Sequence, residues 1–150
     1  MKQQAECLPF EALSVYQLYE IMALRQEVFV VEQNCPYLDA DGKDLKGWHL
    51  MLRDATAKLI AYARLLPKGI SYEYPAIGRI VSAPSARGTG AGRQLVQMAI
   101  EDCYRLFGKE PIKIGAQTYL LNFYQSFGFE VVSEEYLEDG IPHVEMIKFV

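Results

Sequence analysis

The sequence predicts an α/β fold with a mixed central sheet flanked by helices, and three observations carry that expectation. Strand-like segments alternate with segments of helical period through the second half of the chain, as strand, helix, strand, helix, strand. Two of those helical segments stop at a glycine, Gly108 and Gly128, the usual residue just past a helix end. Composition supplies the core: the 150 residues are 51% hydrophobic and 12% aromatic. A chain of this length typically buries roughly 68–70% of its unfolded surface. Disorder is thereby excluded, and with no linker to divide it the chain reads as one domain over residues 1–150.

The elements follow in order. Ser14-Val15-Tyr16-Gln17 has the capping-box pattern that opens a helix. Leu18, Met22, Arg25 and Phe29 then share one helical stripe, which places a guanidinium among apolar residues. Buried there, Arg25 needs an acceptor, and Glu32 would be close if the helix reaches it. A structural ion pair, a loop clamp or a ligand contact would each satisfy it. Residues 34–44 are acidic, but Gly42 stands fourth and Lys43 fifth from Asp39, which excludes an EF-hand loop. The segment reads as a solvated turn, with a substrate-facing loop as the alternative. Residues 48–52 and 59–66 form a hairpin through the turn-forming segment 53–58. Pro67-Lys68-Gly69 breaks the second strand, and Tyr74-Pro75 leads into a third at 77–81. Leu95, Met98, Ala99, Asp102 and Leu106 make one face of a helix over 94–107. A strand at 111–116, a helix at 118–127 and closing strands at 129–133 and 144–150 complete the chain.

Charge and cysteine content exclude several functions. Fifteen basic and nineteen acidic residues give a net charge of −4, so the basic surface that nucleic acid requires is not expected. Cys7, Cys35 and Cys103 are odd in number and far apart, neither a disulfide framework nor a zinc site, and no metal is expected. No stretch approaches the ~18 apolar residues of a membrane span, and the N-terminus lacks a signal-peptide core. These features predict a cytoplasmic protein with reduced thiols and no membrane partner.

One loop concentrates the chemistry. Ser85-Ala86-Arg87-Gly88-Thr89-Gly90-Ala91-Gly92-Arg93 lies between a strand and a helix. Three glycines in five residues turn the backbone tightly and leave its amides unobstructed. Those donors and the positive end of the helix dipole make an anion site suited to a phosphate or pyrophosphate, with Arg87 and Arg93 flanking it. A P-loop would need Lys-Ser or Lys-Thr after Gly92, and a dinucleotide fingerprint would need glycine at position 93; Arg93 breaks both.

The pattern Arg87-x-x-Gly90-x-Gly92 resembles the pyrophosphate loop of the GCN5-related N-acetyltransferases (GNAT). Phe123-Tyr124-Gln125-Ser126-Phe127-Gly128-Phe129 is similar to the tyrosine-bearing helix that follows it there. Leu24-Arg25-x-x-Val28-Phe29-Val30-Val31-Glu32-Gln33-x-Cys35-Pro36-Tyr37, with Gly140-Ile141-Pro142-His143, resembles the narrower ElaA-like branch. The resemblance implies a GNAT-like sheet with a splayed pair of parallel strands, and acetyl-coenzyme A as co-substrate. It implies that Ile80 and Val81 meet the pantetheine arm in the gap before residues 112–116. Arg87, Gly88, Thr89, Gly90, Ala91, Gly92 and Arg93 would hold the pyrophosphate. Tyr124 matches the family's general acid. Gln117, on one helical face with Tyr124 if the helix begins there, stands about where the family often has an asparagine that bonds the pantetheine, a departure from that pattern, and Asn122 is the other candidate.

The family's base is often a glutamate on the central strand, where this chain has Gly78-Arg79-Ile80. Glu32, His49 and His143 are the candidates left by residue chemistry. Arg64 and Arg79 lie inside apolar strands and either pair with carboxylates such as Asp41 and Asp44 or recognise a substrate carboxylate. An acyl-cysteine route through Cys35 or Cys103 is disfavoured, because neither has a basic neighbour in sequence. The expected activity is direct transfer of an acetyl group to a primary amine, on a small molecule or a peptide, by a monomer or homodimer. The alternative is a non-catalytic acyl-coenzyme A binding module.

Overall fold

The structure, a computed structural model, describes residues 4–150; the signal-peptide reading begins on residues 1–3, which lie outside them. Eight strands make one sheet: β1 (Gln4–Pro9), β2 (Trp48–Arg53), β3 (Leu59–Leu66), β4 (Ala76–Ser82), β5 (Ile112–Gln117), β6 (Phe129–Val131), β7 (Tyr136–Glu138) and β8 (Ile141–Lys148). They run in the order β1-β2-β3-β4-β5-β8-β6, with β7 paired to the free end of β8. Neighbours are antiparallel except β4 and β5, which are parallel. This is the mixed sheet the sequence predicts.

The helices α1 (Val15–Arg25), α2 (Ala91–Phe107) and α3 (Leu121–Gln125) cover the sheet. Strand β3 is buried along its whole length because both of its faces are covered. On one face Tyr62 lies under Arg25 of α1. On the other, small Ala61 and Ala63 belong to the single core that holds Leu95, Ala99 and Cys103 of α2.

The capping box forms as the sequence predicts, with Ser14 and Gln17 bonded reciprocally at 2.9 and 3.0 Å. The buried face is rotated from the expected stripe, to Ile21, Leu24, Arg25 and Val28. The helix continues as a π-helical stretch over Gln26–Glu32, which shifts the register and turns Phe29 and Glu32 toward the middle of the sheet.

Arg25 does not pair with Glu32. Its Nε donates to Asp39 Oδ2 at 2.6 Å, Nη1 to Asp44 Oδ1 at 2.7 Å, and Nη2 to the Asp39 carbonyl at 3.0 Å. Arg64 donates to Asp41 at 2.8 and 3.0 Å and to Asp44 at 2.9 Å. The acidic loop is therefore not a solvated turn: three carboxylates fold inward to neutralise two buried guanidiniums, and Asp44 is itself buried. His49, fully buried, braces the same loop. Its Nε2–H donates to the Asp44 carbonyl at 3.0 Å, and its Nδ1 accepts from the Tyr62 hydroxyl at 2.6 Å.

A pH dependence follows from this cluster. Burial pushes the His49 imidazole below its ordinary 6.5. Burial opposes ionisation of Asp41 and Asp44, yet hydrogen bonds from Arg64 and Arg25 outweigh it and hold both carboxyls below their ordinary 3.8. All three folded values lie below the unfolded ones, so each contribution is complete above the unfolded value and is lost as pH falls. Urea midpoints are expected to drop from pH 6.5 downward and again below pH 3.8. A midpoint flat from neutral pH to acid would contradict this.

Two strands lay beyond the sequence pattern. Edge strand β1 is exposed over half its length and ends on a proline, so it carries no alternation. Strand β7 exists because Asp139 (φ +53°) and Gly140 (φ +77°) make a two-residue turn that folds residues 136–138 back on β8.

Candidate active site

The site begins with a backbone irregularity. Arg64 of β3 faces Gly78 of β4, but Tyr62 faces Val81, so Arg79 and Ile80 together oppose one residue. This bulge carries Arg79 at φ +49° and bends β4 away from β5. The two strands share one register pair, Ala76 with Lys113, where the Lys113 N–H donates to the Pro75 carbonyl at 2.9 Å. Beyond it they diverge around a cleft of about 800 Å³. Ile80 and Val81 line one side and Ile114 and Gly115 the other, with backbone groups of β4 facing an unpaired gap.

At the end of β4 the glycine-rich loop turns into α2. Gly88 (φ +80°) and Gly90 (φ +87°) adopt left-handed conformations. Helix α2 begins at Ala91, three residues before the expected start, and its first bond runs from the Gln94 N–H to the Gly90 carbonyl at 3.0 Å. The amides of Ala91, Gly92 and Arg93 precede that ladder and remain available as donors. Added to Gly92, a Cβ would sit 3.3 Å from Ser82 Oγ, so the glycine lets the helix start come close to β4.

The two flanking arginines already have partners. Arg87 lines the cleft and meets Glu32 in a bidentate pair, both bonds 2.6 Å. Arg93 faces a separate groove outside α2, bonded to Ser126 at 2.9 Å and stacked over Phe127. Of the loop residues, Arg87 and Gly92 line the cleft and Gly90 and Arg93 the outer groove; Gly88, Thr89 and Ala91 border neither. The free donors at this loop are backbone amides rather than guanidiniums.

Tyr124 projects from α3 into the cleft, its ring packed edge-on against Phe123 and Phe129. Burial pushes its phenol well above the ordinary 10, so the hydroxyl stays protonated at neutral pH. Gln117 is the last residue of β5, not part of the following helix, and exchanges amide contacts with Gln33 at 3.3 and 3.4 Å. Asn122 is exposed and lies outside the cleft, which removes it as a pantetheine contact.

The three candidate bases separate cleanly. His49 is buried at the acidic loop, both nitrogens occupied, and does not border the cleft. Glu32 borders the cleft, but the hydrogen bonds from Arg87 hold its carboxyl below the usual range, which weakens it as a base. His143 pairs in register with Gln117 across β8 and β5. Its Nδ1 lies 2.7 Å from the Ile141 carbonyl, which can only accept, so Nδ1 carries a proton and the neutral ring has its lone pair on Nε2. That nitrogen stands 3.6 Å from Glu138 Oε2.

Arg64 is buried by its carboxylate partners and lies outside the cleft, so it is not a substrate contact. Arg79 borders the cleft, its Nε 3.0 Å from Asp39 and its guanidinium over the Phe29 ring. Cys103 is a core residue whose thiol burial pushes up to about 12. Glu138 and Tyr136 were absent from the sequence reading; the Asp-Gly turn after them was the available signal. Among the described residues, no three His, Cys, Asp or Glu side chains gather as a metal site, and no helix is long and apolar enough to cross a membrane.

Comparison with known proteins agrees with this geometry. The family model for the acetyltransferase (GNAT) domain matches residues 3–150. Protein ElaA of Escherichia coli is 48% identical over 139 residues, which are 92% of this chain and 91% of that protein. The crystal structure of E. coli ElaA superposes with a TM-score of 0.91 at 43% identity, covering 98% of this chain and 99% of the other. An acyl-CoA N-acyltransferase from Pseudomonas aeruginosa superposes with a TM-score of 0.92 at 41% identity, with the same coverage. The splayed parallel pair, the glycine loop and these matches define an acyltransferase fold. The chain belongs to the GNAT acetyltransferase superfamily, in its ElaA-like branch.

Proposed function

We propose that the protein transfers an acetyl group from acetyl-coenzyme A to a primary amine by direct attack on the thioester. The carrying observation is that one cleft between β4 and β5 is bordered by the anion loop, by Tyr124 and by His143. The cleft fits such a donor: unpaired backbone on β4 suits an amide-bearing arm, and the α2 amides suit a pyrophosphate. Bound there, acetyl-coenzyme A supplies the activated acyl group. His143 Nε2 takes a proton from the amine, the C–N bond forms as the C–S bond breaks, and Tyr124 returns a proton to the sulfur.

Proton transfer from a positioned side chain contributes about 10²–10⁴-fold. Tyr124→Phe is expected to lower kcat by that order with little change in the affinity for acetyl-coenzyme A. His143→Gln is expected to lower kcat similarly and to flatten the rise of rate with pH. A loss below about threefold in either variant, well short of a general acid–base contribution, would remove that residue from the mechanism.

A further inference from the structure

Next to the cleft lies a side pocket of about 50 Å³, room for no more than a slim head group. Its walls include Cys35 and Leu38 of the acidic loop and Glu138, Asp139 and His143 of the β7–β8 hairpin, and His143 borders the cleft as well. The charges here are unbalanced. The nearby cations have carboxylates beside them: Arg79 Nε lies 3.0 Å from Asp39, an ion pair without hydrogen-bond alignment, and Lys113 Nζ lies 3.1 Å from Glu145. Among the described residues, Glu138, its side chain half exposed, has no cationic partner closer than the imidazole of His143 at 3.6 Å, too long for a hydrogen bond. His143 is buried as a residue, with Nδ1 bonded to the Ile141 carbonyl and Nε2 turned toward that gap. The Nε2 edge of His143 and the half-exposed Glu138 carboxylate face each other across 3.6 Å, an arrangement that an N–H donor placed between them would satisfy.

We propose that Glu138 receives the ammonium of the acceptor, and that the acceptor presents a slim aliphatic primary amine that arrives as a cation. This rests on the acyltransfer reading above and names the acceptor's chemistry. The ammonium sits between the Glu138 carboxylate and His143 Nε2 and donates to both. One proton passes to Nε2, and the freed lone pair forms the C–N bond. Nε2 passes that first proton to solvent and takes the second from the nitrogen as the C–S bond breaks; the sulfur takes the Tyr124 proton, and solvent restores Tyr124 and relieves His143. Glu138 itself stays ionised. Its work is to attract the cation and set its direction, and an acceptor with a carboxylate beside its amine is repelled. The Asp139-Gly140 turn places Glu138 opposite Ile141 in the hairpin register, two residues from His143.

The test compares two amines of the same shape, ethylamine and trifluoroethylamine, the first a cation and the second already neutral near neutral pH. Coenzyme A release is measured for the wild type, Glu138→Gln and Glu138→Asp. With ethylamine, Glu138→Gln is expected to raise KM by about tenfold or more, the loss of a charge-assisted contact, while Glu138→Asp recovers part of it. With trifluoroethylamine, wild type and Glu138→Gln are expected to agree within about twofold, because an uncharged amine draws nothing from that carboxylate. Equal losses on both amines would make Glu138 merely structural and overturn the proposal, as would no loss on either. Turnover of aminobutanoate but not of ethylamine or diaminobutane would also overturn it and leave acyl transfer standing. Bound acetyl-coenzyme A with no thiol release from any amine would overturn the acyltransfer reading itself.

Discussion

Gly90→Val is expected to weaken acetyl-coenzyme A binding by at least about 100-fold in a protein that still folds. Gly90 holds φ +87°, and no atom lies within 4 Å of where its Cβ would be. The side chain therefore meets no clash, and the penalty is in the backbone alone. A β-branched residue in the left-handed region costs roughly 1–2 kcal/mol, against a typical domain stability of about 5–15 kcal/mol. The chain survives that strain but relieves it by rotating the peptides that aim the Ala91 and Gly92 amides. Hydrogen bonds to a charged group are worth about 1.5–3 kcal/mol each. Losing two of them removes about 3–6 kcal/mol, more than 100-fold in affinity. Titration calorimetry on the folded variant is the check, and unchanged affinity would refute the loop's role.

Arg25→Met is expected to produce a large loss of stability with no direct effect on the cleft. Removing one partner of a buried pair typically costs about 3–5 kcal/mol, because the other charge is left without compensation. Here the low end applies, since Asp44 keeps Arg64 and Asp39 keeps Arg79. About 3 kcal/mol corresponds to a fall in Tm of roughly 6–12 °C for a domain this size. Adding Asp44→Asn to Arg25→Met is expected to restore part of that loss, because Arg64 keeps Asp41 and Arg79 keeps Asp39 and the surplus charge leaves with the arginine. If the double variant is as unstable as the sum of its parts, packing rather than charge sets the value of Arg25.

The contrast between these residues shows what was legible in the sequence. The capping box at Ser14, strand β3 and the glycine stop of α2 depend on neighbours within a few positions, and all three formed as read. The fold class followed from the order of such local patterns. The partners of Arg25 did not, because Asp39 and Asp44 reach it only after two turns of a loop that looks solvent-loving by composition. Glu32 was drawn to the wrong arginine for the same reason: its true partner, Arg87, lies 55 residues away. The glycine loop stands between strand and helix as its sequence predicts, yet Ala91-Gly92-Arg93 read as loop because the first helical turn makes no bond that composition could signal. His49 and His143 were equivalent as letters. What separates them is the Ile141 carbonyl, which fixes one tautomer at the cleft, while the Asp44 carbonyl and Tyr62 occupy both nitrogens of the other.

Coenzyme A release from acetyl-coenzyme A, followed across a panel of amines with the products weighed by mass spectrometry, tests the proposed function most directly. Thiol release that requires an amine, a product heavier by one acetyl group and a protein mass that never gains an acyl group are the predicted results. Tight binding of acetyl-coenzyme A with no release on any amine, polyamine, peptide or amino acid would contradict them and leave a binding module in place of an enzyme.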